Sequence, residues 1–433
     1  MELNEEQKRA YELLDSDENV FLTGAAGSGK SFLLMQWLKD KEAWLSKHQR
    51  TPVLASTGAA AILIGGRTFH SFFGIGIMKG GAEATFQEAM ENPNLLKRLR
   101  RHDQVIIDEI SMISGPLLAL AERITREARS QYAPDLKEVP WGGMRIIAVG
   151  DFAQLPPVNP HSKVKEWAFL DETWKKTEFR PIMLKQVMRT SDPQFITVLN
   201  KIRVGECDND VIRFLDGRVQ TDADTNKLRL FSHRENTERY NLERLAALPH
   251  PVCSFKTQYA GAEWAIQQYS KNLPIPNNLQ LKLDARVMFR TNDSGAAYAN
   301  GTCGTIVGIE EGYVHVPEGV DGIRSTGRIT VELDNGNEIT VTKHCFECLD
   351  KDGEVALRAL NFPVTLAWAS TIHKAQGITV DSMITDIRKL WEPGQAYVAL
   401  SRVKTAEGLS LAGWSPSAIF ADKQVIKFHA GIQ

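Results

Sequence analysis

The chain has 433 residues, of which 43% are hydrophobic and 24% charged, and its net charge is -2. This length exceeds the roughly 250–300 residues at which a single hydrophobic core stops growing, so more than two domains are expected. No uncharged apolar stretch approaches the roughly 20 residues of a membrane span, and the acidic N-terminus lacks the pattern of a signal peptide, which predicts a cytoplasmic protein.

The charge balance argues against general electrostatic attraction of nucleic acid, and the cysteines argue against a disulfide-stabilised fold. A near-neutral chain exerts no general attraction on nucleic acid, so any such partner has to be held by a local groove. The five cysteines are odd in number and scattered, which argues against a disulfide framework. His344, Cys345 and Cys348 are the one grouping that suggests zinc, but no second pair follows at a matching spacing. Structural cysteines are therefore favoured, with a metal site as the alternative.

A glycine-rich segment follows the apolar residues 20–23, which predict a buried strand, and precedes a helical pattern. It reads Gly24-Ala25-Ala26-Gly27-Ser28-Gly29-Lys30-Ser31, a full match to GxxxxGK[ST]. In such a loop backbone N–H groups surround the phosphates, Lys30 reaches the β and γ oxygens, Ser31 holds Mg²⁺, and the following helix presents its positive end. A chance glycine turn is the alternative, but the strand, loop and helix stand in the order that a phosphate site requires.

Two more apolar strands are predicted to end in polar groups. Residues 105–107 lead into Asp108 and Glu109, of which the first would hold the metal and the second would orient or deprotonate the attacking water. Residues 144–149 lead into a proline-ended loop, 150–157, in which Gln154 is placed to sense the γ-phosphate. Each motif alone could be an ordinary strand end or turn. Together with the phosphate loop they predict a site for nucleotide hydrolysis.

These motifs, with others in the same order, closely resemble the Pif1-like helicases of superfamily 1B, whose members move 5′ to 3′ along single-stranded DNA. Between residues 115 and 131, GPLLALAERITREARSQ resembles the helical signature that separates this family from its relatives. Many members have glutamine after the arginine of the fourth motif, whereas this chain has Thr190, so only Arg189 is carried over. The other matching stretches are LNEEQKRAYELL with Gln7, VLASTGAAAILIGGRTFHSFFGIG at 53–76, IIDEISMI at 106–113, GDFAQLPPV at 150–158, LKQVMRTSDPQFITVLNKIRVG at 184–205, LAWASTIHKAQGITVDS at 366–382 and GQAYVALSRV at 394–403.

The resemblance implies a nucleotide site that two lobes share. Arg189 and Arg402, brought by the second lobe, would neutralise charge that develops on the γ-phosphoryl group. The expected catalytic residues are Lys30, Glu109, Arg189 and Arg402. The expected nucleotide-binding residues are Gln7, Gly24, Ala26, Gly27, Ser28, Gly29, Lys30, Ser31, Gln154 and Gly377, with Mg²⁺ on Ser31 and Asp108.

A DNA path is expected on both lobes. Residues 57–61, which include Thr57 and Gly58, are all small and allow close approach of a nucleic-acid backbone. The hydroxyl of Thr57 can donate to a phosphate. His70 and Phe72 offer rings for unstacked bases, although both Phe72 and Phe73 can equally be core residues. On the second lobe the resemblance implies a motif that touches both nucleotide and DNA, and its matching positions are His373, Lys374 and Gln376. A histidine such as His373 is by itself more often structural, whereas a lysine beside a cleft favours an anion.

The expected fold is α/β, with two RecA-like P-loop NTPase lobes, a small wedge insertion in the first and a β-barrel insertion in the second, which the resemblance implies to be SH3-like. The first lobe is predicted at 1–180 with the wedge near 66–83, the second at 181–254 and 356–433, and the inserted domain at 255–355. Short alternating stretches with Asn-Gly turns at 300–301 and 335–336 predict the barrel strands. Three roles of the barrel stay open: packing alone, closure over the DNA strand, and contact with the duplex junction.

The predicted function is an ATP- and Mg²⁺-dependent 5′-to-3′ DNA helicase that translocates on single-stranded DNA. The resemblance implies duplexes, forks, RNA–DNA hybrids and G-quadruplexes as substrates, and roles in DNA repair, recombination and telomere maintenance. The expected partners are single-stranded DNA and single-to-double-strand junctions, with a monomer in solution and a dimer on DNA. Two alternatives stay open: a related motor that acts on RNA or in phage or plasmid transfer, and a single-strand-binding protein that hydrolyses ATP poorly.

Overall fold

The computed structural model describes residues 3–42, 50–63, 66–76, 78, 80–157, 164–220, 227–293, 297–310, 327–350 and 354–432. Over these residues no helix is both long and apolar enough to cross a membrane. The polypeptide forms two parallel sheets with helices around them, and three antiparallel sheets are formed by a segment inserted within the second parallel sheet.

The first lobe is a six-stranded parallel sheet in the order β3-β2-β4-β5-β1-β6. Strands β1 to β6 are Val20–Gly24, Val53–Ala55, Arg67–Thr68, Gln104–Ile107, Arg145–Val149 and Arg180–Leu184. Helices α1 to α8 are Glu5–Leu14, Lys30–Glu42, Gly58–Leu63, Phe69–Phe72, Gly81–Met90, Pro93–Arg101, Gly115–Ser130 and Glu172–Lys176.

Both faces of this sheet are buried, as the continuous apolar runs predict for parallel strands. Alternate side chains of β1 enter different cores: Phe21 packs in the core that contains Ile107, whereas Val20 and Leu22 pack in the core that contains Ile106. Strands β4, β5 and β1 are neighbours in the sheet, so their carboxyl ends meet at one edge. The three segments predicted to carry chemistry follow these three strands, and the sheet therefore brings them together.

After β6 the chain crosses into the second lobe, where the Arg189 side chain hydrogen-bonds to Ser401. The lobe then forms helices α9, Pro193–Arg203, and α10, Asn209–Asp216, followed by strand β7, Leu228–Phe231, and helix α11, Arg234–Ala247. The chain then leaves the lobe for an inserted region. Its helix α12 is Glu263–Tyr269, and its strands β8 to β17 are Cys253–Lys256, Gln258–Gly261, Asn278–Leu281, Arg286–Phe289, Cys303–Glu310, Arg328–Leu333, Glu338–Thr342, His344–Leu349, Val355–Asn361 and Val364–Leu366.

The chain returns to the second lobe with strands β18, Ala369–Thr371, β19, Met383–Asp386, and β20, Leu409–Gly413. These strands pair with β7 in a parallel sheet of order β18-β7-β19-β20. Helix α13, Gln395–Leu400, is completely buried against this sheet, and helix α14, Lys423–Ala430, ends the described chain. The α/β class with two RecA-like lobes is confirmed.

The lobe boundaries differ from the predicted ones in three places. Strand β6 pairs in parallel with β1, so the first lobe continues to Leu184 and does not end at 180. Strands β16 and β17 pair with β9 and β11 of the inserted region, which therefore runs to Leu366 and not to 355. Helix α14 lies last in the chain but packs on the first lobe, where the rings of Phe428 and Phe169 are stacked with centroids 4.3 Å apart. The sequence pattern misplaced these elements because their pairing partners are distant along the chain.

The inserted region contains a five-stranded antiparallel sheet, β14-β13-β12-β11-β17, beside sheets of three and two strands. The predicted turn at 335–336 joins β13 to β14, whereas that at 300–301 lies in a longer connection between β11 and β12. Residues 311–326 of the predicted inserted domain lie outside the described residues. Cys345 and Cys348 point to opposite faces of β15, because side chains alternate along a strand, so the strand does not bring the two sulfurs together.

Candidate nucleotide and DNA site

The phosphate loop joins β1 to the N-terminus of α2. Gly27 and Gly29 have φ angles of 79° and 88°, which favour glycine, and a Cβ at Gly27 would lie 2.5 Å from the Cβ of Arg189. The Lys30 ammonium lies under the loop and donates to the carbonyl oxygens of Gly24 and Ala25, at 2.7 and 3.1 Å. Burial lowers the pKa of Lys30, while the carboxylates of Asp151, Glu109 and Asp108, which follow the neighbouring strands β5 and β4, raise it.

The loop forms one wall of a cavity of about 530 Å³ between the two lobes. Most of the predicted nucleotide residues line it, whereas Gly24 and Ser28 do not: a Cβ at Gly24 would lie 2.4 Å from the Leu184 carbonyl oxygen, and Ser28 is packed below the loop. The lining residues are Gln7, Ala26, Gly27, Gly29, Lys30, Ser31, Phe32, Asp108, Glu109, Gly150, Gln154, Met188, Arg189, Gly377, Thr379, Arg402 and Lys404.

The acidic pair lies at the end of β4, inside this cavity. Burial raises the pKa of Asp108, and the neighbouring charge of Glu109 raises it further. Burial also raises the pKa of Glu109, although Lys30 and a hydrogen bond from Gln376 oppose the shift. That hydrogen bond crosses between the lobes: Gln376 Nε2 donates to Glu109 Oε2 at 2.9 Å. Glu109 has a φ of 52°, an uncommon conformation for a residue with a side chain, and this turn directs its carboxylate toward the second lobe.

Two arginines of the second lobe complete the cavity. Arg402 is only 1% exposed and donates to the carbonyl oxygen of Val398 at 2.7 Å and to the hydroxyl of Ser401 at 2.7 Å. Arg189 Nη1 donates to the carbonyl oxygen of Ser401 at 2.6 Å. Burial and the neighbouring Arg189 lower the pKa of Arg402 to about 9. Among the described residues neither guanidinium forms an ion pair, so a phosphate in the cavity would supply the missing anionic partner.

Gln154 and Gln7 are held by local backbone geometry. The N–H of Gln154 donates to the carbonyl oxygen of Asp151 at 3.0 Å, and this turn presents Gln154 to the cavity. Gln7 closes a capping box at the start of α1, where it accepts from the N–H of Asn4 at 3.1 Å. Its side-chain nitrogen would lie 2.8 Å from a Cβ at Gly29, so the helix places it directly against the phosphate loop.

Tyr397 is a contact to the phosphate loop that sequence reasoning did not assign. Its hydroxyl accepts from the N–H of Ala26 at 2.7 Å, and it is 2% exposed. Tyr397 lies on α13 in the second lobe, so this hydrogen bond, like the one from Gln376, joins the two lobes. The sequence does not distinguish Tyr397 from its buried neighbours, because nothing in an apolar run marks one hydroxyl as reaching across a domain boundary.

The structure corrects the expectation for Phe72. Its ring is fully buried in the core of the first lobe beside Phe73, with ring centroids 5.0 Å apart, and no base can reach it in this conformation. The Phe72 carbonyl also accepts from the buried guanidinium of Arg98 at 2.9 and 3.0 Å. Residues 67–75 of the predicted wedge therefore belong to the first lobe and its core, because β3 pairs with β2 and Phe69 is also fully buried.

The remaining DNA candidates follow the ends of strands on both lobes. Thr57 is exposed after β2, with its hydroxyl accepting from the N–H of Ala60 at 3.3 Å, and a Cβ at Gly58 would meet Asn272 of the inserted region at 2.6 Å. His70 is half-buried, and burial lowers its pKa.

On the second lobe the candidates follow β18. His373 is half-buried and Lys374 is exposed. The N–H of Lys374 donates to the hydroxyl of Thr371 at 3.1 Å, which fixes the start of the loop. Burial lowers the pKa of Lys374, and the nearby cations Arg234 and Arg290 lower it further. The positive charges of Arg234 and Arg290 near Lys374 favour binding of an anion at this position.

Two RecA-like lobes with a phosphate loop on one, arginines on the other and a shared cavity define a two-lobed P-loop nucleoside triphosphatase. A model of the PIF1-like helicase family matches residues 2–219. The chain is 45% identical over 430 residues to the ATP-dependent DNA helicase Pif1 of Bdellovibrio bacteriovorus, covering 99% of this chain and 92% of that protein. It is 32% identical over 442 residues to the human ATP-dependent DNA helicase PIF1, covering 100% of this chain and 64% of that protein.

Solved structures agree with this result. The chain is similar to Pif1 from Bacteroides sp. in complex with ADP-AlF4, with a TM-score of 0.82, 28% identity and coverage of 100% of this chain and 97% of that one. It is also similar to the Pif1 helicase from Candida albicans, with a TM-score of 0.77, 30% identity and full coverage of both chains. The chain belongs to the PIF1-like helicase family, and it is an ATP-dependent DNA helicase.

Proposed function

We propose that this helicase moves 5′ to 3′ along single-stranded DNA and unwinds duplexes, forks, RNA–DNA hybrids and G-quadruplexes ahead of it. The observation that carries the motor mechanism is the shared cavity, in which Arg189 and Arg402 of the second lobe face the phosphate loop of the first. A ligand that contacts both walls draws the lobes together, and its hydrolysis removes that attraction. Roles in repair, recombination and telomere maintenance remain predictions from family resemblance.

In the proposed hydrolysis step the chain positions the reacting groups. Glu109, oriented by the hydrogen bond from Gln376, accepts a proton from the attacking water. Lys30 and the two arginines neutralise charge on the γ-phosphoryl oxygens, a role worth about 10³–10⁵ in rate for an arginine finger. Release of phosphate leaves the arginines without their anion, which favours opening of the cavity.

Ser31 and Asp108 are the residues that would hold Mg²⁺. Both line the cavity and offer oxygen atoms, the donor type that this hard cation prefers. Among the described residues no group of three or more histidine, cysteine or acidic side chains could hold a metal alone. This fits Mg²⁺, which uses one or two protein oxygens together with substrate phosphates and water. When bound, the ion neutralises phosphate charge.

Translocation is proposed to follow from a grip on DNA by each lobe. Thr57 lies on the first lobe and Lys374 on the second, each just after a parallel strand. Closing and opening of the cavity would change the distance between these two grips. We further propose that the five-stranded sheet of the inserted region is part of an SH3-like barrel, whose contact at Gly58 and Asn272 adjoins the first grip.

The proposed DNA partners agree with those of similar proteins. A structure of Bacteroides Pif1 bound to single-stranded DNA has a TM-score of 0.64 to this chain. A structure that describes DNA unwinding at forked duplex DNA by two coordinating Pif1 helicases has the same TM-score. We therefore propose single-stranded DNA and single-to-double-strand junctions as partners, with a monomer in solution and a dimer on DNA.

A tailed-duplex assay tests the polarity. Duplexes with a 5′ or a 3′ single-stranded tail are incubated with the protein, ATP and Mg²⁺, and strand separation is followed. We expect unwinding of the 5′-tailed duplex alone, and none by a Lys30→Ala control. Unwinding of only the 3′-tailed duplex would contradict the proposed polarity.

The ATPase activity of the same protein, measured with single-stranded DNA and with single-stranded RNA, distinguishes a DNA helicase from the two alternative functions. Stimulation by single-stranded RNA in preference to DNA would favour an RNA motor. Binding of DNA with neither stimulation nor unwinding would favour a single-strand-binding protein. Matched RNA–DNA hybrid and G-quadruplex substrates with the same 5′ tail then test the substrate range directly.

A further inference from the structure

A buried ion pair joins the two lobes beside the nucleotide cavity. Asp151, just after β5, is completely buried, and Arg203 is the last residue of α9 in the second lobe. Arg203 Nη2 donates to Asp151 Oδ1 at 2.8 Å, and Arg203 Nε donates to Asp151 Oδ2 at 3.2 Å. Such a two-pronged contact fixes orientation as well as distance. Neither residue was predicted to belong to the site.

The Asp151 carboxylate also shapes the turn that carries Gln154. Oδ1 accepts from the N–H of Ala153 at 3.1 Å, and the Asp151 carbonyl accepts from the N–H of Gln154 at 3.0 Å. The oxygen that holds the turn is therefore the oxygen that receives the shorter bond from Arg203. Any displacement of Arg203 has to be transmitted to the turn or break these hydrogen bonds.

Helix α9 contacts the first lobe near both of its ends. Just before it, the N–H groups of Met188 and Arg189 donate to the carbonyl oxygen of Gly27 in the phosphate loop, at 2.8 and 3.2 Å. At its other end Arg203 holds Asp151 and lies 3.3 Å from Nδ1 of His429, on the helix that packs against the first lobe. The helix thus connects the phosphate loop with the turn of Gln154 through the second lobe.

We propose that Arg203 is a positioning residue that sets Gln154 according to the position of the second lobe. When the lobes close on ATP, α9 moves with the second lobe, and Arg203 carries Asp151 and its turn into the orientation in which Gln154 meets the γ-phosphate. Recognition of the γ-phosphate and closure of the lobes then become one event. This role rests on the proposed ATP-driven motor mechanism.

The test compares Arg203→Gln with the wild-type protein. DNA-stimulated kcat and KM for ATP are measured, together with the affinities for ADP and for a non-hydrolysable ATP analogue. A misplacement of about 1 Å can cost about 10²-fold in rate, so we expect kcat to fall by about that factor. The ATP analogue should no longer bind more tightly than ADP. The affinity for ADP should stay within about threefold of the wild-type value, because the phosphate loop is intact. Arg203→Lys, which keeps the charge, should restore part of the discrimination.

Two further variants keep the result interpretable. Arg213→Gln, which removes an exposed arginine paired with Asp210 at 2.6 Å, is the matched control and should behave as wild type. If Arg203→Gln does not fold, the double variant Asp151→Asn with Arg203→Gln, which leaves no unpaired buried charge, is measured in its place, with the same loss expected. Wild-type kcat and wild-type discrimination in the folded variant would overturn the proposal. A wild-type protein without DNA-stimulated hydrolysis would instead overturn the motor mechanism itself.

Discussion

The hydrogen bond from Gln376 to Glu109 predicts a defect in catalysis without a defect in nucleotide binding. Gln376→Ala removes the 2.9 Å contact that orients the carboxylate from the second lobe. A hydrogen bond to a charged group contributes about 1.5–3 kcal/mol. Since about 1.36 kcal/mol corresponds to a tenfold change in rate, kcat should fall about 10- to 150-fold if this contact is made fully in the transition state.

The assay is steady-state ATP hydrolysis at saturating single-stranded DNA, with KM for ATP measured in the same experiment. KM should change little, because Gln376 does not contact the phosphate loop. Gln87→Ala, which removes an exposed glutamine 3.1 Å from Glu83, is the control and should leave kcat unchanged. A Gln376→Ala kcat within about twofold of wild type would refute the orienting role.

Three further predictions concern other parts of the structure. Tyr397→Phe removes the acceptor for the Ala26 N–H, a hydrogen bond worth about 1 kcal/mol, so KM for ATP should rise about fivefold. DNA affinity, measured by fluorescence anisotropy, should stay the same. An unchanged KM would contradict a role of this hydrogen bond in ATP binding. Phe72→Ala should lower the free energy of unfolding in urea by about 3–5 kcal/mol and leave the single-stranded DNA affinity of the folded protein unchanged, whereas lost affinity at wild-type stability would restore the base-stacking role. The third concerns His429, whose pKa burial lowers to about 4, with Arg203 and Lys30 lowering it and Asp151 opposing them. The unfolded value is about 6.5, so the neutral ring's contribution to stability is complete above about pH 6.5 and is lost as pH falls toward 4. The free energy of unfolding in urea should change less between pH 7 and pH 5 for His429→Gln than for the wild type. An equal change in both proteins would exclude His429 as a cause of the pH dependence.

Much of the nucleotide site was predictable because its chemistry is local in sequence. The loop that carries Lys30, the pair Asp108 and Glu109, and Gln154 each follow an apolar run that could only be a buried strand. Parallel strands bring their carboxyl ends to one edge, so the sequence alone predicts that the three segments meet. The arginines could be assigned only through family resemblance.

The parts that were missed depend on contacts between distant segments. Tyr397 was not assigned, and Gln376 was assigned without its hydrogen bond to Glu109; both contacts cross the lobe boundary. Asp151 pairs with Arg203 from 52 residues further along the chain. Phe72 could be read as core or as a base-stacking ring because an apolar aromatic suits either environment, and only its burial decides. Helix α14 packs on the first lobe, where Phe428 stacks on Phe169. Nothing in the sequence around Phe428 indicates which lobe this side chain contacts.

The central claim is that the second lobe completes an ATP site built around Lys30. The most direct measurement is DNA-stimulated ATP hydrolysis by Arg402→Ala, with nucleotide affinity measured in parallel. The predicted result is a fall in kcat of about 10³-fold or more with ADP affinity retained, since ADP has no γ-phosphoryl group for Arg402 to stabilise. Hydrolysis at the wild-type rate by a folded Arg402→Ala protein would contradict the claim.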